Sequence, residues 1–365
     1  MLLLFVFTLF ICVLYCLLIV IFIFGWRNIF SYEPKGIDEL DFMVSVVVPC
    51  KNEQENILKL ITCLSQQSYQ NFELIVINDH STDTTRNHIL KAQKTFNNIQ
   101  LIDAFGYGKK NALKEGITSA KSNLIITIDA DCLPSFHWLE AIACFYKRFP
   151  SDLIICPVGL SDKDDLFLRV QALEFSSLVG VAAGSTGAGM PILCNGANLA
   201  FTKDIWLKSQ YNLHDEEQSG DDIFLLESVK KMKGRIRFLK SEAGFVKTRP
   251  PETIKEFIIQ RRRWAGKSRF YTDWQIILTA NIVLFISMLS LVYLALLFYK
   301  WQFIWGYIAI TLFKYCIDTR FLYLVRRFFQ LDRIWIYSMV LSLFYPFYTV
   351  FIALSSLLLK PKKWK

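Results

Sequence analysis

Charge is scarce in this 365-residue sequence. Asp, Glu, Lys and Arg make up only 20% of it, against 53% hydrophobic and 15% aromatic residues, a balance more apolar than soluble globular domains carry. The same numbers exclude intrinsic disorder, which needs low hydrophobicity and high net charge. No Cys-x-x-Cys pair occurs. The nine cysteines (Cys12, Cys16, Cys50, Cys63, Cys132, Cys144, Cys156, Cys194 and Cys316) are odd in number and scattered, so their spacing writes neither a disulfide framework nor a zinc site. Reduced, mostly buried thiols suit a cytosolic face. Two nucleotide-binding patterns are also missing. There is no G-x-x-x-x-G-K-S/T, and Gly106-Tyr107-Gly108-Lys109-Lys110-Asn111 places Asn where the dinucleotide fingerprint needs a third glycine, which sets aside P-loop and dehydrogenase chemistry.

What is present begins with an excess of 41 Lys and Arg over 32 Asp and Glu, a net charge of +9. That fits nucleic acid, an anionic membrane surface or an anionic substrate, and position decides between them. Residues 2–26 carry no charge, a run long enough to cross a hydrocarbon core of about 30 Å as a helix. A signal peptide would need a basic start and a small-residue cleavage site, whereas the first basic residue, Arg27, follows the run. Residues 1–26 therefore read as an N-terminal transmembrane anchor, and Arg27 and Lys35 favour a cytoplasmic side after it. Residues 276–298 form a second apolar run, and residues 334–359 a third, interrupted by Pro346. Between them, residues 303–329 carry Lys314 and Asp318, four apart on one helix face and able to neutralise each other inside a bundle. The expectation is a C-terminal transmembrane region, 275–359, of three segments. Three spans would put Lys360, Lys362, Lys363 and Lys365 outside while Arg320, Arg326, Arg327 and Arg333 fall inside. One re-entrant or interfacial segment would remove that conflict with the positive-inside tendency.

The middle of the chain alternates. Strand-like runs at 43–49, 73–78, 99–103 and 124–129 are separated by helical patterns at 53–68, with Asn52 as N-cap, and at 84–96 and 110–119. Strict alternation predicts an α/β fold with a parallel sheet and helices on both faces. In such sheets ligands sit beyond the carboxyl ends of the strands, and the polar clusters lie there: Pro49 to Glu53, Asn78 to Asp83, and Asp129 with Asp131. Any one cluster is accounted for by turns and caps; three on one edge point to a site.

Asp129 and Asp131 project from one face while the chain stays extended. Hard oxygen ligands so placed suit Mg²⁺ or Mn²⁺, with positions left for a substrate's phosphate oxygens. A second acidic pair, Asp221-Asp222, precedes an apolar helix start. There Asp222 either caps the helix or accepts a proton from an attacking hydroxyl. Residues 247–269 hold eight basic residues against two acidic ones, which makes 247–274 a basic interfacial segment attracted to anionic lipid. Within it Gln260, Arg263 and Trp264 share a face, joining a phosphate-binding guanidinium to a flat ring suited to stacking, while Arg261 and Arg262 point elsewhere, towards lipid. The segment borders a span, which argues against nucleic acid as a partner.

Taken in order, these motifs resemble the family 2 glycosyltransferases, in particular the membrane-embedded branch that includes hyaluronan, cellulose and poly-N-acetylglucosamine synthases and ceramide glucosyltransferase. The likeness runs from about residue 44 to residue 264. It implies a GT-A type fold, Rossmann-like with a mostly parallel sheet, for a cytosolic domain 42–246 flanked by transmembrane helices. It also implies a nucleotide-sugar donor, taken as a UDP-sugar, a Mg²⁺ or Mn²⁺ ion, and inversion at the anomeric carbon. Carried over, Asp79 reads the base, Glu53 seats the nucleoside, and Pro49 and Lys109 belong to the nucleotide-binding motifs. Asp129 and Asp131 hold metal and diphosphate, and Asp222 is the base. Gln260 and Arg263 steady the departing diphosphate, Trp264 floors the acceptor site, and Gly196, in the stretch Asn195 to Asn198, lies on the acceptor side. One departure is Asp-Asp at 221–222 where many relatives have Glu-Asp. The implied protein is a hexosyl- or N-acetylhexosaminyltransferase of the cell or inner membrane, its catalytic domain cytoplasmic, acting on a lipid or saccharide acceptor. A processive polysaccharide synthase is the alternative, which four spans, a narrow channel at best, disfavour. An inactive membrane scaffold is a further one, opposed by the presence of every acidic position a working site needs.

Overall fold

The computed structural model describes residues 2–35, 40–161, 165–210 and 221–358. By its contacts the chain divides into two units, one of residues 29–161 and 193–249, the other of residues 1–28, 162–192 and 250–362.

After α1 (Leu2–Asn28), the first unit runs β1 (Val44–Cys50), α2 (Ile57–Ser65), β2 (Phe72–Asn78), α3 (Thr85–Gln93), β3 (Ile99–Asp103), α4 (Lys109–Ser119) and β4 (Leu124–Ile128), the alternation expected. β1 and β2 are buried at all seven positions, as strands covered on both faces must be, which is why they read as continuous β-branched runs. Then come β5 (Leu133–Pro134), α5 (Trp138–Arg148), β6 (Leu153–Ile155) and β7 (Val158–Leu160). The chain passes through α6 (Leu166–Gly187) of the other unit and returns as β8 (Asn198–Thr202), α7 (Lys203–Ser209), α8 (Asp221–Lys231), β9 (Ile236–Phe238) and β10 (Val246–Thr248). A seven-stranded sheet has the order β3-β2-β1-β4-β8-β6-β9, and β5-β10-β7 make a smaller one. In the large sheet β8 alone runs against its neighbours, β4 and β6. The α/β class with a mostly parallel sheet is the one expected. Trp138, fully buried, donates from Nε1 to Asn198 Oδ1 at 2.9 Å, and Asn198 Nδ2 donates to the carbonyls of Pro157 and Gly244, so one amide ties β8 to α5 and two loops.

Two local expectations are corrected. Asn52 is not a helix N-cap: α2 starts later, at Ile57, after Asn56. Asn52 instead has φ 54°, a left-handed conformation that Asn tolerates, and its Oδ1 accepts the Thr82 amide at 2.8 Å. Nor does the chain stay extended from Asp129 to Asp131; Cys132 N–H donates to Asp129 O at 3.1 Å, a turn that closes directly after β4.

The second unit is helical: α1, α6, α9 (Ile254–Ala265), α10 (Trp274–Leu296), α11 (Ile304–Val325) and α12 (Ile334–Leu358). Four of these, α1, α6, α10 and α12, are long and apolar enough to cross a membrane. α6 lies within residues 42–246, expected as one water-soluble stretch, but it clusters with the helices. Small residues are the reason: a Cβ added at Gly25 of α1 would lie 1.7 Å from Gly184 O of α6, so the two backbones touch, as small-residue helix crossings allow. α11 is equally long but carries Lys314, Asp318 and Arg320. The expected neutralisation is present. Lys314, 5% exposed, is ion-paired with Asp318 and donates to Tyr15 OH at 2.7 Å, and Tyr15 OH donates to Asp318 Oδ1 at 2.6 Å.

Gly25→Ala is expected to force α1 and α6 apart and to cost about 2 kcal/mol or more, in the upper range for overpacking. Gly180→Ala, whose Cβ would meet Phe321 at 3.3 Å, needs only a small shift and should cost under about 1 kcal/mol. Thermal unfolding of the two variants in detergent ranks them; equal midpoints would refute the close crossing.

Candidate active site

The loops after β1 and β2 are built as one piece. Asn52 and His80 each take φ 54°, turning both chains sharply beyond the sheet edge. Asn52 N–H then donates to Ser81 Oγ at 3.0 Å, Glu53 N–H to Thr85 Oγ1 at 2.7 Å and Gln54 N–H to Asp83 Oδ2 at 3.2 Å. Pro49 is buried in β1, two residues past the last position paired with β4, where its missing N–H removes no bond to that strand.

Asp79 has 0% exposure. Both of its oxygens accept the Gly108 amide at 3.1 Å, His80 Nδ1 lies 3.1 Å from Oδ1 and Lys51 Nζ 3.6 Å from Oδ2. Glu115 grips the same loop from α4, accepting the amides of Phe105 and Gly106 at 2.9–3.1 Å. Gly108, at φ 94°, is the turn that starts α4; the positive φ suits glycine. Tyr107 stacks on His80 with ring centroids 4.0 Å apart and planes at 14°. The residue expected to read a base thus holds the loop that carries an aromatic shelf. Nothing in the local sequence marked Tyr107, whose ring partner His80 is 27 residues away, or Glu115, which reaches back across the turn to Phe105 and Gly106.

Lys109 follows Gly108 and places Nζ 2.5 Å from Asp129 Oδ1. Asp131 Oδ2 accepts from Thr248 Oγ1 of β10 at 3.2 Å. Burial, then the charge of Asp129, raise the Asp131 carboxyl above its ordinary range, with Lys109 and Thr248 opposing. Burial raises Glu53 as well; the Asn56 amide opposes this and the charges of Asp131 and Asp129 add to it. The structure therefore brings Glu53, Lys109, Asp129 and Asp131 into one electrostatic neighbourhood. Among the described residues no group of three or more His, Cys, Asp or Glu side chains converges as a closed metal site. Two carboxylates that repel each other fit an open site, one whose ion completes its coordination with phosphate oxygens and water.

Asp222, in the first turn of α8, accepts the Ile223 amide on Oδ1 at 2.8 Å and the Gly196 amide on Oδ2 at 3.2 Å. Thr127, two residues before Asp129, donates to Gly196 O at 3.1 Å. Gly196 is thus the link between Asp222 and the end of β4. A Cβ there would stand 3.5 Å from Asp222 Cβ.

Gln260, Arg263 and Trp264 lie on α9 in the helical unit, where a Thr253–Glu256 capping box starts the helix. Arg261 does not face lipid as expected. It is 4% exposed, ion-paired with Glu174 of α6, and its guanidinium sits 4.3 Å over the Trp264 ring. A buried carboxylate needs that partner, which fixes the rotation of α9. The Nε atoms of Arg261, Arg262 and Arg263 are all buried without a hydrogen-bond partner among the described residues.

Removing the Asp79 carboxylate leaves the Gly108 amide unpaired. Asp79→Ala is expected to destabilise the sheet unit by about 1–3 kcal/mol and to speed hydrogen exchange at residues 105–109, whereas Asp79→Asn, keeping one acceptor, should do less. Native-state exchange read by mass spectrometry checks this, and unaltered protection of the loop in Asp79→Ala would contradict it.

Residues 45–191 match the model described as Glycosyl transferase family 2, and residues 124–358 that of Glycosyl transferase family group 2. A poly-beta-1,6-N-acetyl-D-glucosamine synthase of Staphylococcus epidermidis is 26% identical over 254 residues, covering 67% of this chain and 60% of the relative. The synthase of the same name from Staphylococcus aureus (strain COL) is 26% identical over 237 residues, covering 63% of this chain and 55% of the relative. The chain therefore spans less than two thirds of the length of these relatives. Among solved structures, a mannosyltransferase from Pyrobaculum calidifontis in complex with GDP-Man and Mn²⁺ has a TM-score of 0.57 at 16% identity, covering 97% of this chain and 96% of that one, a likeness of fold. The second family match takes in well over half of the residues, and this chain belongs to glycosyltransferase family 2.

Proposed function

We propose that this chain is a membrane-bound inverting transferase that moves a sugar from a nucleoside-diphosphate donor, a UDP-sugar, to a lipid or saccharide acceptor at the cytoplasmic face. The observation that carries the reading is the cluster at the sheet edge, where Glu53, Lys109, Asp129 and Asp131 gather, Asp79 holds the Gly108 turn that precedes Lys109, and Gly196 ties Asp222 to β4. The staphylococcal relatives, named as synthases of an N-acetylglucosamine polymer, support a hexosaminyl or hexosyl donor. The fold neighbour's GDP-Man and Mn²⁺ are in keeping with a nucleotide sugar and a divalent ion.

In this reading the His80–Tyr107 shelf and Glu53 serve the nucleoside, with Asp79 holding the shelf in place. Mg²⁺ or Mn²⁺ bound by Asp129 and Asp131 would neutralise charge on the diphosphate. Asp222 accepts the proton of the acceptor hydroxyl as that oxygen bonds to the anomeric carbon and the bond to the diphosphate breaks on the opposite face. The Ile223 and Gly196 amides fix its orientation. By their motif, Gln260 and Arg263 are assigned the departing diphosphate, Trp264 the acceptor sugar and Gly196 the acceptor side. α1, α6, α10 and α12 anchor the chain in the cell or inner membrane, and residues 247–274 lie at its surface. The catalytic domain, within residues 42–246, omits α6.

The name of the relatives favours a second reading, a processive synthase. Sizing the radiolabelled product separates the two: a long polymer from the purified chain would replace single addition.

Membranes containing the chain, incubated with labelled UDP-sugars and Mg²⁺ or Mn²⁺, are expected to transfer label to an extractable acceptor. Asp222→Asn should lower turnover by about 10²- to 10⁴-fold, the usual range for losing a general base, with insertion and folding intact. Full turnover in that variant would remove Asp222 from the reaction.

Metal binding has its own readout. The intact protein should melt later with Mn²⁺ and UDP present, by the free energy that binding to the folded state adds. Asp131→Asn should be at least as stable alone, because a buried, raised carboxyl is gone, and should lose the Mn²⁺-dependent shift. A retained shift would place the ion elsewhere.

A further inference from the structure

The helical unit contains a cleft of about 250 Å³ between the end of α1 and the end of α11. Its lining includes four arginines, Arg27, Arg320, Arg326 and Arg327, and the apolar Ile23 and Leu324. Arg320, Tyr323 and Arg327 stand at i, i+3 and i+7, one face of α11 and its continuation, and the Arg326 guanidinium lies 3.8 Å over the Tyr323 ring. Trp26 packs against Phe328 and Phe329 with centroids 5.4 and 6.2 Å apart, which holds the end of α1 beside the turn after α11. Among the described residues no carboxylate is ion-paired with any of the four arginines, whereas the two buried cations of this unit, Lys314 and Arg261, each have one.

Like charges gathered without a counter-charge repel one another, so the arrangement gains most from an anion. Helix C-termini favour cations and account for part of the placement, but not for four on one cleft. Planar guanidinium forks match phosphate oxygens in particular. The volume falls below the roughly 300 Å³ at which pockets for drug-sized ligands begin, too small for a sugar nucleotide and enough for a headgroup. The apolar flank belongs to α1, which is long and apolar enough to cross a membrane, and to α11, which packs against it.

We propose that this cleft binds the phosphate headgroup of an anionic phospholipid, its acyl chains lying along Ile23 and Leu324. The site is separate from the sheet-edge cluster, and its occupancy does not depend on sugar transfer.

The full chain, purified in detergent and exchanged into equal phosphatidylglycerol and phosphatidylcholine, is tested by native mass spectrometry. Phosphatidylglycerol is expected to be retained in excess. Arg320→Gln with Arg327→Gln should lower that retention by about thirtyfold, from the usual contribution of two basic residues near an anionic surface. Lys59→Gln with Lys91→Gln, matched in charge and exposed in the sheet unit, should leave it unchanged. Arg320→Lys with Arg327→Lys preserves the charge, should keep most of the retention, and guards against a misfolded Gln pair. Equal retention of the two lipids, or retention untouched in the Gln pair, overturns the site. Loss of bound lipid to millimolar inorganic phosphate alone would assign the cleft to a free phosphate and overturn the lipid.

Discussion

Repulsion among carboxylates at one sheet edge is the constraint around which the first unit is arranged. Burial and mutual charge push Asp131 and Glu53 towards their neutral forms, and the protein answers only in part, with Lys109 on Asp129 and Thr248 on Asp131. A purely structural cluster would be expected to complete its neutralisation from within, because unpaired buried charge costs several kcal/mol. This one leaves negative charge in excess at the sheet edge. In the proposed transferase a divalent ion would relieve that repulsion, and the stability it costs would return as affinity.

The loops obey the same logic. Positive φ at Asn52 and His80 is tolerated because the two turns lock each other: Ser81 Oγ accepts one Asn52 group and Thr82 N–H donates to another. Neither loop would keep its shape alone. A site assembled from two strained turns and a glycine start to α4 is rigid where the side chains must converge, while Tyr107 remains exposed at 71% and open to a ligand's face.

Much of this was legible in the sequence. β1 to β4 announced themselves as β-branched runs, because a strand buried on both faces leaves no polar positions, and the edge clusters followed from where parallel strands end. Other features were not. β8 is inserted against the sheet direction, and its place depends on Asn198 meeting Trp138, sixty residues away. α6 carries Arg169, Gln171 and Glu174 within its first turns, which reads as a surface helix until Arg261 of α9 cancels Glu174. The polar cluster that holds Asp79 was legible at the end of β2, but its 0% exposure was not, since burial is set by Gly108 and Lys51 folding over it. Asn52 looked like a cap because Asn serves caps and left-handed turns alike, and only the partner strand's loop decides between them.

Buried charge in the helical unit shows how placement and pairing go together. Lys314 is neutralised one helical turn away by Asp318 and closed by Tyr15, and Arg261 finds Glu174 on another helix. In an apolar setting a single unpaired ion is costly enough that each such residue must bring its partner. The arginines at the ends of α1 and α11 break that rule without penalty only because Arg27, Arg320 and Arg327 are exposed. In the proposed lipid site their counter-charge comes from phosphate headgroups at the end of α1. The same physics that forces pairs into the bundle leaves unpaired cations at its rim, and their convergence on one cleft turns a general attraction into a defined site.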